Sequence, residues 1–201
     1  GVLHNHTDTP TAGGPVTMVD RDTLRHEREL PVSMPADTPC FRRGAGSYGK
    51  DVRGLNRLHQ FDKVEIVQLT HPERSYDTLE AMVRHVEGIL RELELPYRIL
   101  RLCGGAMSFT SALTFDFEVY SAAQERWLEV SSVSNFESFQ SNRLKARFRG
   151  ADNKPQLVHP LNGRSLALPR ILAAKLENNQ SAEGIRIPKV LVPDTGLNTI
   201  K

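Results

Sequence analysis

Two segments, Leu113–Tyr120 and Trp127–Val133, set the strongest limit on what this chain can fold into. In the first, Phe115, Phe117 and Val119 alternate with Asp116, Glu118 and Tyr120. In the second, Leu128 and Val130 stand opposite Glu129 and Ser131. A period of two belongs to a strand with one apolar and one polar face. Gln124–Glu125 between them suits a hairpin connection. A sheet made this way needs a cover for its apolar face. Tyr76–Leu95 supplies one, because Leu79, Met82, Val83, Val86, Leu90 and Leu93 recur at helical steps and Pro96 ends the pattern.

The rest of the chain extends the same plan. Leu55–Leu69 reads as a strand around β-branched Val64, Ile66 and Val67. Gln156–Leu168 reads as a broken strand. Pro169 then takes the first helical position ahead of Ile171, Leu172 and Leu176. Residues 1–20 show no sustained period, and charged Asp20–Leu30 predicts a short helix before Pro31. Strands without regular βαβ alternation predict an α+β fold, an antiparallel sheet flanked by helices.

Composition fits one domain over residues 1–201, with 39% hydrophobic and 25% charged residues. A net charge of +2 provides no global basic field, so any polyanion site must be a local patch. No run approaches the roughly eighteen apolar residues of a membrane span. No basic segment followed by an apolar one opens the chain, so no secretion signal is expected. Cys40 and Cys103 lack metal-ligand spacing and are expected to be reduced thiols in the cytoplasm.

Phe41–Phe61, FRRGAGSYGKDVRGLNRLHQF, is the segment with chemistry in it. Arg42, Arg43, Lys50, Arg53 and Arg57 are interleaved with Gly44, Gly46, Gly49 and Gly54. Glycines let backbone N–H groups approach an anion, and arginines offer a fork that matches phosphate oxygens. Phe61 is placed to stack on a flat base. A solvated charged loop has the same composition, so the segment alone does not decide. Far downstream, Arg170 stands in the first turn of the helix after Pro169, where a cation opposes the helix dipole and calls for an anion.

Taken together, the two arginine segments resemble motif two (about 38–69) and motif three (about 157–180) of the class II aminoacyl-tRNA synthetases. TPTA near the start, HQFDKVE, LEVSSVSNFESFQSNR and NNQ…IRIPKVLVP resemble the seryl-tRNA synthetases in the same order, over about residues 9–193. The resemblance implies the class II fold and ATP- and Mg2+-dependent activation of L-serine, followed by transfer to tRNA(Ser). It implies that Arg42 holds the α-phosphate and Arg170 the γ-phosphate, an electrostatic clamp on an in-line displacement. Arg43, Phe61, Glu129, Val130, Ser131 and Ser132 would complete the ATP site, with Glu129 and Ser132 on the metal. Thr11, Glu65 and Asn162 would contact serine.

Four positions depart from the family pattern. Gly13, Gly44 and Ala106 stand where it has carboxylates, and Arg164 stands where it has a small serine. An ammonium left without its anion costs a few kcal/mol of binding, on the order of a lost charged hydrogen bond. These departures imply that serine activation is severely weakened or absent while phosphate binding persists. The family's N-terminal tRNA-gripping arm and motif one have no counterpart in these residues, which implies poor tRNA charging and leaves a homodimer open. Two other readings stand beside the ligase. One is an impaired relative that binds nucleotide or a partner without charging tRNA. The other is a metal-dependent hydrolase built on His4 and His6, whose alternate spacing puts both imidazoles on one strand face.

Overall fold

A computed structural model describes residues 2–3, 6–7, 12–41, 55 and 57–201. Its centre is a six-stranded antiparallel sheet of β1 (Val32–Phe41), β2 (Gln60–Thr70), β3 (Tyr97–Arg101), β4 (Leu113–Ser121), β5 (Arg126–Asn135) and β6 (His159–Ala167). The order across the sheet is β1-β2-β6-β5-β4-β3. The helices are α1 (Gly13–Met18), α2 (Ser75–Glu92), α3 (Ser138–Leu144), α4 (Leu168–Asn178) and α5 (Val192–Thr195).

One face of the sheet is apolar and covered. Leu79, Met82, Val86 and Leu90 of α2 pack on Phe117, Val119, Val130, Val133 and Leu161, and Ile171 and Ala174 of α4 join the same cluster. Gly163 is where helix and sheet come closest. A Cβ there would stand 2.9 Å from Val133 Cγ2 and 3.4 Å from Met82 Cε. The expected helix over 76–95 is thus α2, ended by Glu94 at φ 53° before Leu95 and Pro96.

β1 gave no apolar run in sequence because Pro35 and Pro39 interrupt it. It is an edge strand, so a residue without an N–H costs no ladder bond where its nitrogen faces away from β2. The charged stretch 20–30 is corrected: it forms a strand at Leu24–His26 and a 3-10 turn at Glu27–Glu29. Leu24–His26 runs parallel to Arg147–Arg149, a non-local pairing that local charge cannot announce. The expected strand over 55–69 begins at Gln60, and the irregular N-terminal stretch contains α1. Both cysteines are free thiols, Cys40 buried and Cys103 exposed. No helix among the described residues is long and apolar enough to cross a membrane.

Candidate active site

The opposite face of the sheet carries the polar residues, with α1 over Glu65 and a second apolar cluster of Leu69, Ala146, Phe148 and Val158 toward the end of β2. Register places Ala36, Glu65, Arg164, Ser132 and Asp116 in one row across β1, β2, β6, β5 and β4. Two residues along, Asn162 pairs with Val67 and Ser134. Thus Glu65, Asn162 and Arg164, three residues singled out in sequence, share one face.

Two bulges shape the middle of this face. On β6, Arg164 pairs with Glu65 but Leu166 pairs with Val64, so Ser165 is the extra residue. On β5, Ser131 pairs with Phe117 but Glu129 pairs with Glu118, so Val130 is extra. A bulge re-aims side chains locally. Here Val130 and Ser131 both turn inward, 2% and 0% exposed, and the Ser131 hydroxyl donates to the Arg164 carbonyl. Simple alternation put Ser131 beside Glu129; the bulge reverses that. Of this four-residue stretch, Glu129 and Ser132 are the half-exposed members on the polar side.

Glu129 is the hub of the charges. Its Oε1 lies 2.7 Å from the Arg164 guanidinium. Its backbone carbonyl accepts a hydrogen bond from the Arg170 guanidinium. Arg170 follows Pro169 in α4, where Pro fits the first turn without losing a helical bond. Burial lowers the Arg170 pKa, the Glu129 charge opposes that, and the charges of Arg164, Arg57 and Arg126 lower it further. Arg164 and Arg170 thus both bond to Glu129, and the charges of Arg164, Arg57 and Arg126 all bear on Arg170, a local cluster of cations on a molecule whose net charge is only +2.

Glu65 is 6% exposed and pairs with Lys63, Nζ to Oε1 at 2.7 Å. α1 lies over it: a Cβ on Gly13 would stand 3.0 Å from Glu65 Oε2. The missing carboxylate at position 13 is therefore matched by a Glu65 carboxylate in the space a longer side chain would start from. Asp116 sits in the same row as Arg164. Burial raises its pKa, a Ser132 hydrogen bond opposes this, Glu129 raises it and Arg164 lowers it. Sequence reading passed over Asp116, although its place in the β4 alternation put it on the polar face. Arg57 was singled out with the glycine-rich segment; Arg126 was missed as a site residue because only the fold brings it near Arg170.

Phe61 lies on β2 at the mouth of a hollow of about 430 Å³, also lined by Leu55, Leu58, Pro169, Ile171 and Leu172. Arg170 lies between two of those lining residues in sequence. A larger hollow of about 1040 Å³, lined by His26, Arg28, His71 and Asp152 among others, holds none of the expected site residues. It adjoins Thr70, at the end of β2 away from Phe61. Ala106 lies in an exposed turn after β3. Arg42, Arg43, Gly44, Thr11 and His4 lie outside the described residues, as does most of the glycine-rich segment.

The donors for a metal can be weighed directly. Among the described residues no group of three or more His, Cys, Asp or Glu could hold an ion. Glu129 and Ser132 offer one carboxylate and one hydroxyl, a set that Mg2+ could use only with phosphate and water oxygens. The carboxylate, however, is engaged by Arg164. As it stands, the pair does not fit a divalent ion.

An antiparallel sheet flanked by helices, with arginines on its polar floor, is the architecture of a class II synthetase core. Residues 4–179 match the family model of the tRNA synthetase class II core domain (G, H, P, S and T), and the chain belongs to that family. Within it, the similarity is to the seryl enzymes. Serine--tRNA ligase of Salinibacter ruber is 55% identical over 193 residues, 95% of this chain and 45% of that protein. The Bordetella pertussis enzyme is 55% identical over 186 residues, 92% of this chain and 41% of that protein. The crystal structure of seryl-tRNA synthetase from Pyrococcus horikoshii complexed with ATP aligns with a TM-score of 0.89 and 38% identity, over 96% of this chain and 44% of that one. The cytoplasmic enzyme from Naegleria fowleri in complex with AMP aligns at 0.88 and 31%, over 96% and 46%. The chain thus spans less than half the length of these relatives.

Proposed function

We propose that this chain is the catalytic core of a serine--tRNA ligase, which binds ATP on the polar face and activates L-serine as seryl-adenylate. The observation that carries the reading is the cluster at Glu129 and Arg170, where Arg164 and Arg170 both bond to Glu129 and the charges of Arg164, Arg57 and Arg126 bear on Arg170. Like charges collected on a partly buried floor favour a bound polyanion, and the two aligned structures complexed with nucleotide support ATP as that anion. In the reaction, a serine carboxylate oxygen bonds to the α-phosphorus while the bond to the β-phosphate oxygen breaks. Pyrophosphate leaves, and no proton moves. The protein's task is to hold the phosphates in line and to spread the growing negative charge. Arg170 is assigned to the γ-phosphate, Arg42 to the α-phosphate, Arg43 to the ATP site beside it, and Phe61 to the adenine face. Glu65 is assigned to the serine ammonium or hydroxyl, with Thr11 and Asn162 lining the same pocket.

Mg2+ accompanies this chemistry in the family resemblance, with Glu129 and Ser132 as its ligands. Because Arg164 occupies Glu129, no step is assigned to a metal here. Transfer to the acceptor end of tRNA(Ser), and a cytoplasmic location, go with the ligase reading. Neither the non-charging relative nor the hydrolase on His4 and His6 gains support from relatives at this identity.

The test is serine-dependent exchange of labelled pyrophosphate into ATP. We expect exchange with serine, slower than in a full-length relative, and a lower KM for serine in Arg164→Ser. Exchange driven by a different amino acid, or none while ATP still binds, would contradict the serine assignment.

A further inference from the structure

We propose that Arg164 stands in for a divalent cation at Glu129, so that a nucleoside triphosphate is held with the chain's own guanidinium as counter-charge. The inference rests on the nucleotide reading above.

Its ground is a juxtaposition on two strands. The Arg164 guanidinium lies 2.7 Å from Glu129 Oε1, and Arg164 is the direct cross-strand partner of Ser132. The carboxylate and the hydroxyl that would form a small-cation site are thus both neighbours of one arginine. Its backbone is fixed as well, because the Arg164 carbonyl accepts the buried Ser131 hydroxyl and Ser165 bulges just beyond. The adjacent carboxylates offer no substitute site. Glu118 is bound to Arg98 at 2.5 Å, and Asp116 takes a hydrogen bond from Ser132. Mg2+ demands oxygen ligands in near-octahedral array, whereas a guanidinium brings only N–H donors. Those donors meet phosphate oxygens directly and in pairs. With 41% of its side chain exposed, Arg164 can serve Glu129 on one side and a phosphate on the other.

ATP binding by the 201-residue chain, measured by titration calorimetry in excess Mg2+ and again in EDTA, tests this. Wild type is expected to change its Kd by less than about threefold between the two conditions, and Arg164→Ser to bind at least about tenfold more weakly in EDTA. Arg164→Lys keeps the charge without the paired donors and is expected to bind ATP in EDTA more tightly than Arg164→Ser, which separates a lost cation from a lost fold. Wild-type binding that collapses in EDTA, or an Arg164→Ser response equal to wild type, overturns the proposal and leaves the nucleotide reading intact. No ATP binding by any form under either condition overturns both.

Discussion

Asp116 shows how the polar face is balanced at the level of single residues. Burial raises its pKa, with Glu129 and Glu118 adding to the effect, and Ser132 and Arg164 only partly relieve it. Its folded value therefore lies above its unfolded one. Stability from the protonated form is fully present below the unfolded aspartate range and is lost as pH rises through the folded value. Asp116→Asn is accordingly expected to melt above wild type at neutral pH and level with it near about pH 3, as read by thermal melts across that range. His159 has the opposite sense. Burial holds its pKa down, so its neutral form stabilises the fold, and that stability is lost as pH falls below the unfolded histidine range. His159→Gln is expected to flatten the decline in melting temperature just below about pH 6.5. At this scale sequence reading reached Glu129, Arg170 and Glu65, because each sat in a quotable motif. It did not reach Asp116 or Arg126, whose place beside the other charges depends on which strands are neighbours.

Among the elements, α2 and its seat on β5 and β6 carry the fold. Gly163→Ala would drive a methyl to 2.9 Å from Val133 Cγ2, a β-branched side chain with little room to turn. The expected cost is about 1–3 kcal/mol of unfolding free energy in chemical denaturation. Leu90→Ala, at a fully buried position of the α2 stripe, is expected to cost about 2–5 kcal/mol in the same measurement. α2, β4, β5 and α4 were legible in advance because one-sided burial writes a period into the sequence. β1 was hidden by prolines that only an edge strand tolerates. The pairing of Leu24–His26 with Arg147–Arg149 was hidden because it joins distant segments. The two bulges were illegible for a related reason: alternation assumes an unbroken ladder, and a single extra residue such as Val130 turns Ser131 inward.

For the molecule as a whole, the sheet separates two tasks. One face is covered by α2 and α4 and carries the larger core cluster; the other brings Arg164 and Arg170 onto Glu129 and is the face proposed to bind the ligand. The departures at Gly13 and Arg164 both fall on the ligand face and leave the core face intact. Gly13 has no side chain where Glu65 approaches, and Arg164 fills the middle of the floor with a paired cation. The central claim is that the arginine floor binds ATP. It is tested most directly by the melting temperature of the intact chain with and without ATP at about a hundred times its Kd. The account predicts a rise of about 5–10 °C, from about 2.7 kcal/mol of linked stabilisation, and loss of that rise in Arg170→Ala. An unchanged melting temperature in saturating ATP, or a full rise in Arg170→Ala, would contradict it.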